Sequence, residues 1–312
     1  MTVLPVDGGP ERVGVSSTEG ARPELAELDL WPTLDSVQIF ADDELSAAAA
    51  VHDAAASIAA AIDAIARQLS MGGRLIYVGA GTGGRLAAID AAEVGPSFGL
   101  RGKVLAVLAG GAAALMDDCD GPIEDQFDVG AADLAALVPT ALDVVLGVSA
   151  SGTTPYVLGA MHAAAAAGAL TIGFACTAGS ALGARCLLKI EVPTGAEVIA
   201  GSTRLKAGTA QKIVLNAIST LVMVRLGRTY GNLMVDADAT NAKLRARAVR
   251  VVVQATGVDE SRAVAALAEA GGSAKVAVVA LLAGVSTKRA EEVVRVAAGQ
   301  VRYAVSLADA RD

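Results

Sequence analysis

The chain has 312 residues, enough to bury one large core or two smaller ones, and 54% of them are hydrophobic while only 3% are aromatic. Its core must therefore be built from Ala, Val and Leu on closely packed elements. A net charge of −8 argues against nucleic acid or an anionic membrane surface as a main partner, so any anionic ligand has to be captured locally.

Residues 1–22 are rich in Gly, Pro, Ser and charge, and read as a flexible tail. No basic region followed by an apolar core and a cleavage site precedes the first periodic segment, so no signal peptide is expected. The segment DDELSAAAAVHDAAASIAAAIDAIARQLSMGG has helical periodicity and ends at a glycine pair. Five β-type runs follow: RLIYVGA, KVLAVLAG, DVVLGVSA, LTIGFACT and LLKIEVP. Helical stretches separate them, namely LAAIDAAE, a stretch near Ile123 to Leu137, YVLGAMHAAAAAG and a short ALGARC segment. This alternation predicts an α/β domain over residues 23–256, with a parallel sheet flanked by helices. A long helix is predicted from Ser202 to about Leu226 and another near Asp238 to Gln254. Three shorter helical stretches then form a small module over residues 257–312.

The Ala-rich stretch from Ala160 to Cys176 is broken by His162 and two glycines, and reads as a helix followed by a buried strand, with no membrane span expected. Cys119, Cys176 and Cys186 lack metal or disulfide spacing and read as small apolar residues in a reducing cytoplasm. His52 and His162 belong to no ligand-spaced cluster, so no metal site is expected.

Two loops share one design. VGAGTGGR follows a strand and opens a helix, with four glycines between Gly79 and Gly84, then Arg85. GVSASGTTPY does the same, carrying Ser149, Ser151, Gly152, Thr153 and Thr154. Each offers small residues, hydroxyls and a helix N-terminus, which attracts anions through unpaired donors and the helix dipole. Gly79, Gly81 and Gly84 formally satisfy G-x-G-x-x-G, but the next strand ends in Ala-Gly-Gly where a ribose-binding acid should stand. A sugar phosphate held by Gly81, Thr82, Gly83, Gly84, Arg85 and the second loop's hydroxyls fits these residues better than a dinucleotide.

Glu93, one to two turns beyond the first loop, is a candidate acid/base, with Asp90 three residues earlier. The run MDDCDGPIED holds Asp117, Asp118, Asp120, Glu124 and Asp125, and such runs are most often solvated faces or caps. GAEVIAGSTRLKAGTAQK gathers Glu197, Ser202, Thr203, Arg204, Lys206 and Thr209 into one polar patch at the start of the long helix. There Arg204 and Lys206 are candidate anion clamps and Glu197 a candidate acceptor from a substrate hydroxyl.

The strings GAGTGGRLAAIDAAE, ASGTTPYV, GAEVIAGSTRLKAGTAQKIVLNAIST and YGNLMVDADATNAKL together resemble the N-acetylmuramic acid 6-phosphate etherase family. That family belongs to the sugar isomerase (SIS) group and is related to the glucokinase regulatory protein. The resemblance runs from about Thr18 to the C-terminus. It implies an SIS-type parallel sheet flanked by helices, a small C-terminal helical module, and a homodimer with sites near the subunit interface. It implies cleavage of the D-lactyl ether of N-acetylmuramic acid 6-phosphate without metal or organic cofactor, in the cytoplasm. By motif, Glu93 matches the family's principal acid/base glutamate, and Asp120 falls where a second catalytic glutamate is usual. Gly83 stands where the family usually has serine, Thr153 where it has arginine, and Ser149 where it often has alanine. Two other readings stay open: a non-catalytic sugar-phosphate regulator, and an SIS-type sugar-phosphate isomerase.

Overall fold

In the computed structural model, residues 17–116 and 121–310 are described. Two helices, α1 (Thr33–Asp53) and α2 (Ala55–Ser70), lead into β1 (Leu75–Gly79) and α3 (Gly81–Phe98). Then come β2 (Val104–Leu108), the short α4 (Gly121–Glu124), α5 (Phe127–Ala135) and β3 (Val144–Ser149). The layer closes with α6 (Pro155–Ala166), β4 (Leu170–Ala175), α7 (Ala181–Ala184), β5 (Leu188–Glu191) and α8 (Lys206–Arg225). A two-stranded ribbon, β6 (Thr229–Tyr230) with β7 (Leu233–Met234), links to α9 (Ala242–Thr256), α10 (Glu260–Glu269), α11 (Ala274–Ala283), α12 (Thr287–Val296) and α13 (Val301–Asp309).

The five expected strands all form, and they pair in parallel in the order β2-β1-β3-β4-β5. Strands β1 and β3 are buried at every position, as their continuous apolar runs require when helices cover both faces. The chain leaves β1 toward β2 on one side and returns to β3 on the other. This makes the gap beyond the carboxyl ends of β1 and β3 the topological switch point, where open α/β sheets bind ligands.

One core lies under the sheet face covered by α2, α3 and α8, and a second on the α5–α6 face. Helix α8 has the length and apolarity of a membrane span, with mean hydropathy 1.3, but 56% of that window is buried against the domain. It packs on α1, α2 and α3. Cys176 lies in the first core, where burial pushes its thiol up to about 12; Cys186 is half-buried with its thiol pushed up to about 11. Cys119 lies outside the described residues.

Three boundaries differ from the sequence expectation. The first helical segment is two helices bent by 60° at Ala54, which lets α1 lie along α8 while α2 reaches β5. The last stretch splits at Ala298 and Gly299, both with positive φ, into α12 and α13. The C-terminal module has its own apolar core from Val235 to Ala308, so α9 packs with the module although it lies before the expected boundary at residue 257. Part of the expected tail is also packed: Thr18 is fully buried and Arg22 donates to Asp43 at 2.7 Å.

The amino ends of β1 and β3 are locked by Asp143, only 2% exposed. Its carboxylate accepts from the Arg74 amide at 2.8 Å, from Arg74 Nε and Nη2 at 3.1 and 2.7 Å, and from the Thr140 amide at 2.9 Å. Burial alone would raise its pKa; the Arg74 guanidinium and the two amides more than reverse this and hold it at about 2. A folded pKa below the unfolded value near 3.9 means the group's stability is fully present above that value and is lost as pH falls toward 2. Urea unfolding of the wild type should therefore lose about 2 kcal/mol more between roughly pH 5 and pH 2 than unfolding of Asp143→Asn, whose amide does not titrate.

Candidate functional site

Beyond the carboxyl ends of β1 and β3 opens a cleft of about 300 Å³. Its walls are the first turn of α3 (Gly81, Thr82, Gly83), the β3–α6 loop (Ser149, Ser151, Thr153, Thr154), and Thr203 and Gln211 at α8. Glu19, Glu124 and Asp125 supply carboxylates to the same cleft. The two glycine- and hydroxyl-rich loops, far apart in sequence, thus meet in one place.

The second loop is held by its own side chains. Ser149 Oγ lies 2.8 Å from Thr154 Oγ1 and accepts from the Gly152 amide at 3.0 Å, while Ser151 and Thr153 hydroxyls pair at 3.0 Å. Gly152 has φ +70°, and a Cβ there would stand 2.5 Å from Ser180 Cβ, so only glycine fits. This fixes the approach to α6, whose first residue is Pro155 with the φ a helix start requires.

Among the described residues, no side chain caps the N-terminus of α3 or α6. Helices α1, α2, α5 and α13 lack such a cap too, whereas α9, α10, α11 and α12 are capped by Asn241, Asp259, Ser273 and Ser286. An uncapped helix start presents orphan amides and the positive end of the dipole. Two such starts converging on one cleft make an anion cradle of neutral donors. Among the described residues, no lysine or arginine lines it. Arg85 donates instead to the Ala114 carbonyl at 2.7 Å, which fastens α3 to the segment after β2.

The polar patch before α8 is built differently. Glu197 is fully buried, and its two oxygens accept from the Lys206 and Ala207 amides at 3.1 and 3.0 Å. It caps α8 from nine residues away. Burial pushes its carboxyl above the usual range, against the pull of those two amides. Lys206 Nζ pairs with Asp43 Oδ1 at 3.1 Å, and Arg22 meets the same oxygen. Glu197, Ser202 and Lys206 lie outside the cleft lining, whereas Thr203 is in it.

Asp90 is buried and accepts from Tyr77 Oη at 3.0 Å, Asn216 Nδ2 at 2.8 Å and Ser219 Oγ at 2.9 Å. Burial pushes its carboxyl up, opposed by these three donors. It joins β1, α3 and α8. Glu93, one turn further along α3, is solvent-exposed and not among the cleft residues. Asp120 lies outside the described residues. Glu19 and Gln211 escaped the sequence reading: the first sits in the expected tail, the second in an apolar helix. Glu124 and Asp125 were noted only as part of an acidic run.

A parallel sheet of this order with a hydroxyl-lined cleft at its switch point is a doubly wound α/β ligand-binding domain. Residues 57–165 match the family model described as the glucokinase regulatory protein N-terminal SIS domain. A phosphoheptose isomerase structure from Francisella tularensis aligns with TM-score 0.50 and 19% identity, over 62% of this chain and 100% of that one. The N-acetylmuramic acid 6-phosphate etherase of Rubrobacter xylanophilus is 53% identical over 95% of this chain and 97% of its own. That of Streptomyces coelicolor is 49% identical, over 94% of each. The chain belongs to the N-acetylmuramic acid 6-phosphate etherase family.

Proposed function

We propose that this protein cleaves the D-lactyl ether of N-acetylmuramic acid 6-phosphate, releasing D-lactate and N-acetylglucosamine 6-phosphate. The observation that carries the reading is the pair of uncapped helix starts converging on one hydroxyl-lined cleft, in a chain 53% identical to a protein of that name. The 6-phosphate sits on the amides of Thr82 and Gly83, with hydroxyls from Thr82, Ser149, Ser151, Thr153 and Thr154; the Gly84 and Gly152 amides are already taken by the Ala80 carbonyl and Ser149 Oγ. Arg85, Glu197, Ser202 and Lys206 support these walls from behind.

In the open-chain sugar, the C1 aldehyde acidifies the C2 proton. A carboxylate removes that proton, the C3–O bond breaks, and lactate leaves as its alcohol after taking up a proton. Water then adds at C3 and a proton returns to C2, so the net reaction consumes one water. Glu93 is assigned the acid/base role and Asp120 an assisting one. Because Glu93 is outside its own chain's cleft, the working unit is a homodimer, in which exposed Ile89, one turn from Glu93, supplies apolar contact. The unpaired thiols of Cys176 and Cys186 suit a cytoplasmic enzyme.

Incubation with N-acetylmuramic acid 6-phosphate should release D-lactate, read by a lactate dehydrogenase. Ser149→Ala, which loses contacts to Thr154 and Gly152, should weaken inorganic phosphate binding about tenfold by calorimetry. Sugar-phosphate binding without any turnover would favour the regulatory reading, and interconversion of sugar phosphates without lactate the isomerase reading.

A further inference from the structure

Gln211 is 1% exposed, yet it lines the cleft beside the first turn of α3. Its Oε1 is enclosed and has no hydrogen-bond partner among the described residues. A buried carbonyl of this kind is a cost unless something pairs it. No described side chain or amide donates to it. Ser149 and Ser151 are committed to Thr154, Gly152 and Thr153. Val148 is apolar, and position 83 has no side chain. A Cβ built on Gly83 would stand 3.1 Å from Val148 Cγ1, 3.2 Å from Gln211 Nε2 and 3.3 Å from Gln211 Oε1. The carboxamide therefore packs closely on Gly83, at the first turn of α3 and next to the anion cradle.

We propose that Gln211 is a substrate-binding residue whose Oε1, at the wall of the cleft, accepts a hydrogen bond from the hydroxyl on the carbon next to the phosphoester. For a sugar 6-phosphate that group is the C5 hydroxyl. The pyranose lacks it, because there the C5 oxygen is in the ring and carries no proton. Gln211 thus selects the open chain, the form in which the C1 aldehyde can acidify C2. This rests on the sugar-phosphate reading above, but not on the lactyl ether.

The test uses three probes and the full-length protein: sorbitol 6-phosphate, which is permanently open and keeps the C5 hydroxyl; methyl glucoside 6-phosphate, which is locked in the ring; and inorganic phosphate. Calorimetry should show the wild type binding sorbitol 6-phosphate about tenfold more tightly than the glucoside. Gln211→Met, close in volume but without an acceptor, should bring the two affinities together while inorganic phosphate binding stays within twofold. Gln211→Glu keeps an acceptor and adds charge, so it should weaken both sugars and preserve their ratio. Gly83→Ser sets a hydroxyl against the carboxamide and offers Oε1 its own donor, so it should also abolish the preference in a chain that remains folded. A wild type without preference, or a preference that survives in both Gln211→Met and Gly83→Ser, overturns the proposal. A preserved open-chain preference in a protein that releases no lactate would leave Gln211's role standing and defeat the etherase reading alone.

Discussion

Glu93→Ala is expected to lower D-lactate release by about 10²–10⁴-fold, the range that loss of a positioned general acid/base produces. Inorganic phosphate binding and the urea midpoint should hardly move, because the side chain is exposed and outside the cleft. The position of Glu93 makes the prediction sharper. It stands twelve residues after Gly81 on one helix, about 18 Å along the axis at 1.5 Å per residue. A sugar whose phosphate sits on the first turn of α3 is too short to reach its own chain's Glu93. In the proposed dimer the carboxylate serves the cleft of the second copy. Mixing Glu93→Ala chains with Ser149→Ala chains should restore part of the activity that each lacks alone, since some mixed dimers hold one intact site. Unchanged release by Glu93→Ala would remove it from the reaction. Full loss without restoration on mixing would place its role within its own subunit. Asp90 makes the contrast: three donors hold it between β1, α3 and α8, so its replacement should cost stability first.

The sheet was readable because β1 to β4 are short, largely apolar runs and β5 alternates apolar with charged residues, and the two loops because glycine, serine and threonine crowd where a strand meets a helix. What escaped depended on tertiary geometry. The break at Ala54 has neither glycine nor proline to mark it. Glu197 reads as a free acid because it caps α8 from nine residues upstream, whereas Leu205 occupies the N-cap position itself. Lys206 reads as an anion clamp because Asp43, its partner, is 163 residues away. Glu19 sits in a segment whose composition resembles a tail, and only the folded chain brings it to the cleft. Gln211 is one polar position on a helix that buries both apolar and polar residues, so helical spacing gives no hint that it meets Gly83. The strongest motif therefore named the cradle, while the residues that shape the cleft around it came from contacts the motif does not contain.

Gly84→Ala is expected to damage stability and binding together. A Cβ on Gly84 would stand 2.4 Å from Leu108 Cδ1 and 2.7 Å from both the carbonyl carbon and oxygen of Gly79. Reciprocally, a Cβ on Gly79 would lie 2.6 Å from Gly84 Cα. The end of β1 and the first turn of α3 touch backbone to backbone, and Leu108 can rotate away but Gly79 cannot. The alanine must lift α3 from the sheet. Overpacking of this kind costs about 3 kcal/mol, which a shifted urea midpoint would show. The lift also displaces the amides of Thr82 and Gly83 that face the anion, and a shift near 1 Å in such groups can cost about 100-fold. Phosphate titration of the folded variant should register that loss. Gly83→Ala, one residue earlier, is the matched comparison. Its new Cβ meets only the ends of the Val148 and Gln211 side chains at 3.1 Å or more, which can give by a few tenths of an ångström. It should cost less than about 1 kcal/mol, within the range of a tolerated core swap. Equal penalties at positions 83 and 84 would mean that α3 is not seated on β1 by the Gly79–Gly84 contact, and that the cradle owes its position to the packing of α3 against α8 instead.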